Sequence, residues 1–330
     1  MLLWVPFQAG GAIPPVPLNM KLNFLASEPH YYDHIVPIWN ALPAELRGTF
    51  YCDLPVLTLR PECKSFAKTA RLVSGLTLVA SFKDYQRVIG DAIYMEHGIG
   101  HTYSNQSPYY AGGKGKHKVK LFLNNHEITQ ARNREAYPNA KHEIIGTPKL
   151  DSIHAKPITG RKVCVSFHWD CYIAPETNSA LNHYKDVLGD LSQVCELHLH
   201  AHPRDNGRTK QIADQLGVTF IRDFETATNI CDLYVNDNSS TMYEWLLTGR
   251  PVVVLNAPQY RKDVHHGLRF WEDVPGQQVD EPNDLIGIIE RNLNCPDMTL
   301  AERERIKAKY YPFYPNATSI AVRVLVDYLS

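Results

Sequence analysis

The sequence predicts an α/β protein made of two open parallel sheets in tandem, and three observations predict it. Short apolar runs rich in β-branched residues alternate with segments of helical period, the signature of βαβ units. A polar, proline-bearing stretch, GTPKLDSIHAKPITGRK, interrupts the alternation, which restarts near residue 150. At 330 residues the chain has room for two ordinary domains. The expected division is residues 1–150, residues 151–315 and a terminal helix, 316–330, packing back on the first part.

Strands are expected in the first half at Leu22 to Ser27, Thr49 to Asp53, Leu76 to Ser81, Ala92 to Gly98, Val119 to Asn125 and His142 to Gly146. Helical period lies between them in DHIVPIWNAL, FKDYQRVIG and HEITQARNREAY. The second series has strands at KVCVSFHW, ELHLHAH, GVTFIRD, DLYVND and PVVVLN, separated by helices at NSALNHYKDVLGDLSQV, GRTKQIADQLG and STMYEWLLTG. A last helix is expected from about Ala317 to Leu329, capped by Asn316, with Ile320, Val324 and Tyr328 on its apolar face. Ligands of such sheets bind beyond the carboxyl ends of the strands, so the chemistry is expected in the loops that follow them.

Composition narrows the class of function. Lys and Arg number 34 against 35 Asp and Glu, so no global field selects a polyanion or a membrane surface. Seven scattered cysteines, odd in number and never spaced as CxxC, argue against a disulfide framework or a zinc ribbon and for a reducing cytoplasm. The opening MLLWVPFQAGGAIPPVPLNMK has no basic start and is broken by prolines, so no signal peptide is expected. No run approaches the about 20 apolar residues of a membrane span.

The stretch VNDNSSTMYEWLLTGRPVVVL carries the most specific chemistry. A buried strand ends in Asn236, Asp237, Asn238, Ser239 and Ser240 and runs into a helix. Unpaired backbone N–H groups and the hydroxyls of Ser239, Ser240 and Thr241 at a helix start suit an anionic phosphate; the plain alternative is an N-cap. Glu244 follows Ser240 by one turn on the same face, where it is placed to accept the hydroxyls of a ribose. Phosphate and ribose together point to a nucleotide.

On these residues the chain resembles the CDP-glycerol glycerophosphotransferases. CDLYVNDNSSTMYEWLLTGRPVVV is similar to their donor-binding segment, EHG (Glu96 to Gly98) to their His-Gly motif, and GTPKLD (Gly146 to Asp151) to their Gly-x-Pro-Arg-x-Asp segment. HAHP resembles their His-Pro motif and GLRFWEDVPGQQV their Arg-Gly-Phe...Pro-Gly segment, in the same order. The resemblance implies the GT-B architecture, two Rossmann-like domains facing a cleft, with acceptor bound mainly by the first and nucleotide donor by the second. It implies His97 as general base, His202 as the group contacting or protonating the donor phosphates, Asn238, Ser239, Ser240 and Thr241 as the pyrophosphate site, and Glu244 at the ribose. Gly98, His101 and Tyr103 are implied on the acceptor side. The donor expected is CDP-linked, or UDP-linked if it carries a sugar, with no cofactor and no metal.

The chain departs from the family at VSFHWD (Val165 to Asp170), where His168 stands in place of a Pro-Thr-x-Arg motif. The missing phosphate cation is expected from Arg204 or Arg250. Glu244, where that family is expected to carry Asp, keeps a nucleotide-sugar glycosyltransferase as the alternative, and a nucleotide-binding module without turnover is the second. Such a module is separated from an enzyme by whether His97→Ala abolishes product formation while leaving binding intact.

Other signals weigh less. His198, His200 and His202 share one face of a strand, a spacing compatible with zinc if further ligands came within reach. Lys114, Lys116, His117, Lys118 and Lys120 form the dense basic run, with Tyr103, Tyr109 and Tyr110 beside it: a surface to steer a polyanionic acceptor, or a solvated loop. The acceptor hydroxyl remains open among a glycan, a polyol phosphate, a protein and DNA.

Overall fold

A computed structural model describes residues 20–60, 67–68, 72–99, 115–170, 178–260 and 270–330. The first sheet is built from β1 (Leu22–Ala26), β2 (Arg47–Cys52), β3 (Ala67–Lys68), β5 (Thr77–Val79), β7 (Ala92–Met95), β8 (Val119–Asn124) and β9 (Lys141–Ile144). Its order is β3-β2-β1-β5-β7-β8-β9, every pair parallel, and β4 (Val73–Ser74) and β6 (Val88–Ile89) form a small separate pair. The second sheet holds β10 (Lys162–Phe167), β11 (Glu196–Ala201), β12 (Thr219–Ile221), β13 (Leu233–Asn236), β14 (Val252–Leu255) and β15 (Gln277–Val279), in the order β12-β11-β10-β13-β14-β15, again all parallel. The expected α/β architecture is thus observed.

The helices are α1 (Pro29–Ala41), α2 (Leu54–Leu59), α3 (Phe82–Tyr85), α4 (Glu127–Ala136), α5 (Leu181–Tyr184), α6 (Leu188–Val194), α7 (Arg208–Leu216), α8 (Phe224–Ile230), α9 (Thr241–Glu244), α10 (Leu285–Asn294), α11 (Leu300–Tyr310) and α12 (Ala317–Leu329). In each sheet the chain first winds outward in one direction and then returns to wind in the other. The switch points fall between β1 and β5 and between β10 and β13, and strand order reverses where α/β sheets open a ligand crevice. The residues following β1, β10 and β13 are therefore the ones the topology places at a crevice.

Parallel strands are covered on both faces, which explains why they read as apolar runs. On one side of the first sheet Leu22, Phe24, Leu78, Ile93 and Leu123 pack with Ile35 and Ile38 of α1 and with Ala321, Leu325 and Leu329 of α12. The terminal helix therefore lies on the first sheet. Its buried stripe is Ala317, Ala321, Leu325 and Leu329; Ile320, Val324 and Tyr328, the expected face, flank it half-buried. Its cap differs too. Asn316 makes no side-chain cap bond, and the Asp151 carboxylate, from the segment between the sheets, instead accepts from the N–H groups of Ala317 (3.0 Å) and Thr318 (2.7 Å). Gly146, at φ +77°, opens that segment, and a Cβ there would lie 3.0 Å from Ala317 Cβ.

Several helices are shorter or more broken than expected. FKDYQRVIG gives only the turn Phe82–Tyr85, and the segment before β11 splits into α5, a 3-10 turn at Lys185–Val187 and α6. Among the described residues no helix is long and apolar enough to cross a membrane, and Cys52, Cys164, Cys195, Cys231 and Cys295 are free thiols.

Candidate active site between the two sheets

The polar turn after β13 is organised by one buried carboxylate. Asp237 Oδ1 accepts from the N–H groups of His168 (2.9 Å) and Asn238 (2.6 Å), and Oδ2 from the N–H of Ala180 (2.9 Å), with the hydroxyls of Tyr260 and Ser179 at 3.4 and 3.5 Å. The chain after β10, the start of α5 and the turn after β13 are thereby tied to one point. Asn236 Oδ1 takes the N–H of Ser239 (3.1 Å), and Asn238 is buried. Ser239, Ser240 and Thr241 are only half-buried, and the Thr241 hydroxyl lies 3.1 Å from Ser239 Oγ.

The helix expected here is a single turn. Thr241–Glu244 is α-helical, Trp245–Thr248 tightens to 3-10, and Gly249 at φ +73° ends it. One turn sums few peptide dipoles, so hydroxyls and nearby cations outweigh a macrodipole in any anion site at this turn. Glu244 also differs from expectation. Its carboxylate is 1 % exposed, forms an ion pair with Lys149 Nζ at 2.9 Å and lies 3.5 Å from Ser240 Oγ. It stands behind the hydroxyls, not open to the cleft.

From the first sheet, His97 follows β7 at the edge of this turn. Gly98, at φ +62°, approaches the second sheet so closely that a Cβ on it would meet Ser240 Oγ at 2.8 Å and Ser240 Cβ at 3.1 Å. Three side chains hold the loop in this pose: Gly98 N–H donates to His34 Nε2 (3.4 Å), Asn125 Nδ2 donates to the Gly98 carbonyl, and His126 Nε2 lies 2.8 Å from the Ile99 carbonyl. Burial pushes His97 down to about 4, opposed by a hydrogen bond to the Ala80 backbone and reinforced by the charges of Lys149, Arg204 and Lys116. Burial therefore holds the imidazole neutral. His101 and Tyr103, with Tyr109, Tyr110 and Lys114, lie outside the described residues.

His202 follows β11 and faces His168, with ring centroids 5.1 Å apart. Its Nδ1 accepts the N–H of Arg204 (3.1 Å), which leaves the proton of the neutral ring on Nε2. Burial first, then His168, His30 and Arg204, lower its pKa. His30, on α1, lies between the two sheets, its centroid 6.4 Å from His97 and 6.2 Å from His202. Arg204 reaches across to the first sheet, donating to both Glu28 carboxylate oxygens (3.0 and 2.9 Å) and to the Tyr31 hydroxyl (3.3 Å).

The structure thus gathers His97, Gly98, His168, His202, Arg204 and the turn Asn238–Glu244 about one cleft. It leaves other candidates elsewhere. Arg250 is 3 % exposed, donates to the Thr228 and Cys231 carbonyls and lies 4.6 Å over the Trp245 ring, so it is not a phosphate cation. Of the basic run's described residues, Lys116 is fully buried 3.8 Å from the Tyr94 centroid, Lys118 donates to the Val88 carbonyl, and Lys120 pairs with Asp91 at 3.5 Å. Of the three alternating histidines, His198 lies 3.2 Å from Glu196 and His200 2.7 Å from Ser166 Oγ. Among the described residues no group of three or more His, Cys, Asp or Glu is placed to hold a metal.

Sequence reasoning missed Glu28, His30 and His34, which α1 delivers at the switch point of the first sheet, and Lys149 and Asp237. Asp237 lies within VNDNSSTMYEWLLTGRPVVVL, and its flanking by Asn236 and Asn238 marks the polar turn in the sequence.

Comparison with known proteins agrees with this geometry. Residues 180–325 match the model of the family described as CDP-Glycerol:Poly(glycerophosphate) glycerophosphotransferase. No curated protein matches the chain by sequence. Among solved structures, the wall teichoic acid polymerase TagF superposes with a TM-score of 0.63 at 12% identity, covering 94% of this chain and 89% of that one. The UDP-GlcNAc 2-epimerase of Methanocaldococcus jannaschii, in complex with UDP-GlcNAc and UDP, superposes with a TM-score of 0.59 at 12% identity, covering 93% of this chain and all (100%) of that one. At such identities the likeness speaks for the GT-B fold, and the family match covers the part that carries the Ser239–Ser240 turn. Residues 180–325 are thus similar to the CDP-glycerol:poly(glycerophosphate) glycerophosphotransferase family, and the whole chain shares the fold of TagF.

Proposed function

We propose that this protein transfers a polyol-phosphate unit, with glycerophosphate as the reference case, from a CDP-activated donor to an acceptor hydroxyl. The observation that carries the proposal is the contact of Gly98 with Ser240, which sets the loop bearing His97 directly on the hydroxyl turn. A solved TagF structure soaked with CDPG, of TM-score 0.60 and 13% identity, supports the choice of donor.

In this reading Ser239, Ser240 and Thr241 hold the diphosphate, with His202 donating from Nε2 and His168 beside it. His97, neutral when the site is empty, takes the proton of the acceptor hydroxyl. The acceptor oxygen forms a bond to phosphorus, the bond from phosphorus to the bridging oxygen breaks, and the departing nucleoside monophosphate keeps the electron pair. Positioning and electrostatic stabilisation supply most of the rate in such a transfer. A bound diphosphate also reverses the field around the cleft histidines: its negative charge raises imidazoles that burial and mutual repulsion hold low, bringing His97 toward the range of an effective base.

Melting temperature measured with CDP-glycerol, CDP-ribitol, UDP-GlcNAc and a GDP-sugar tests the donor, because a ligand bound only by the folded state raises it. CDP-glycerol is expected to give the largest rise, and His97→Ala to keep that rise while lowering turnover about 10² to 10⁴-fold. A rise with UDP-GlcNAc alone makes the protein a sugar-nucleotide enzyme instead. Equal turnover by His97→Ala removes the proposed base.

A further inference from the structure

We propose that Lys149, carried by the segment joining the two sheets and held by Glu244, is the cation that completes the phosphate site. The inference rests on reading the Ser239–Thr241 turn as the diphosphate site. The sequence placed that cation at Arg204 or Arg250. Arg250 is enclosed behind Trp245, and Arg204 already spans the cleft to both oxygens of Glu28. Lys149 comes from the opposite wall, its side chain 22% exposed and its Nζ 2.9 Å from Glu244 Oε2.

The contacts form a continuous chain: Lys149 to Glu244, Glu244 to Ser240 at 3.5 Å, and Ser240 against Gly98, next to His97. Burying a carboxylate behind a serine is costly unless a cation meets it, and here the meeting fixes an ammonium beside the hydroxyl turn. An ammonium carries three N–H donors, and the ion pair with Glu244 holds them beside the hydroxyl turn. Glu244 in this arrangement positions Lys149.

The same charge acts on the base. His97 is faced by the His30, His34 and Tyr31 rings of α1, by Lys149 from the joining segment, by Arg204 from the second sheet and by Lys116 from the loop before β8. After burial, the Lys149 ammonium is the strongest of the positive charges that depress both His97 and His34. Removing its charge raises the His97 pKa, so the acidic limb of the turnover profile moves to higher pH.

The test compares wild type, Lys149→Arg and the double variant Lys149→Gln with Glu244→Gln, which spares the fold a buried unpaired carboxylate. Turnover of CDP-glycerol is measured against pH, and the His97 imidazole is titrated by NMR in the free protein, its signal assigned with His97→Asn. The double variant is expected to lose about 10²-fold or more in kcat/KM and to shift the His97 titration upward, while Lys149→Arg keeps the wild-type titration and most of the turnover. Unchanged turnover in the double variant, or lost turnover with an unmoved His97 titration, overturns the role of Lys149 while leaving the donor reading intact. A wild type that neither binds nor turns over CDP-glycerol ends the donor reading, and this role with it.

Discussion

Replacing Gly98 by alanine tests the contact on which the functional reading stands. The residue sits at φ +62°, a region an L-residue enters at a cost of about 1–2 kcal/mol. The new methyl would lie 2.8 Å from Ser240 Oγ and 3.1 Å from Ser240 Cβ. Both distances fall inside the about 3.5 Å of an optimal contact, so the two loops must part by about 0.5 Å or more. The backbone term alone lowers the melting temperature by several degrees, at about 2–4 °C per kcal/mol for a domain of 150–250 residues. Catalysis suffers more, because a 1 Å misplacement of reacting groups can cost about 10²-fold. Gly98→Ala is therefore expected to lower kcat for CMP release from CDP-glycerol by about 10- to 10²-fold, with a smaller effect on donor affinity. A variant that melts earlier yet turns over at the wild-type rate would show that the His97 loop and the Ser240 turn do not meet in the working enzyme, and the reasoning fails.

Two further outcomes follow from the frame around the site. Asp151→Ala removes the cap of α12 and is expected to lower stability by about 1 kcal/mol, read as a fall in urea midpoint at unchanged slope. Lys116 is pushed down to about 8 by burial, against the attraction of Glu96, while an unfolded lysine titrates near its ordinary 10.5. The unfolded chain thus binds the extra proton between those values, so stability rises with pH from about 8 to 10.5, and Lys116→Met should flatten that rise in denaturation at pH 7.5 and 10.

Much of this fold was legible because parallel strands are apolar on both faces, and most of the larger strands of both sheets stand within a few residues of where the runs predict them. β15, with the sequence QQV at a sheet edge, offers too little apolar signal, and β4 and β6 are two residues each. Helix lengths were harder. The run after Ser240 keeps an apolar period through Leu247, yet the Trp245 indole donates to the Pro251 carbonyl (2.9 Å) and the segment tightens to 3-10. The second-sheet half of the site was readable as a motif because its residues are contiguous. Glu28 and His30 were not, because they meet Arg204 and His202 only through tertiary folding, and Lys149, although inside GTPKLD, meets Glu244 by the same route. The basic run makes a related point: a string of lysines shows charge but not direction, and Lys116 turns onto an aromatic ring.

The return of α12 to the first sheet has a practical consequence for anyone dividing this protein. A cut between the sheets strands Ala321, Leu325 and Leu329 on a fragment that offers them no partner, and uncovers Ile35 and Ile38 on the other. Either piece expressed alone is thus expected to be sticky, and the amino-terminal piece to regain solubility when residues 317–329 are supplied as a separate peptide.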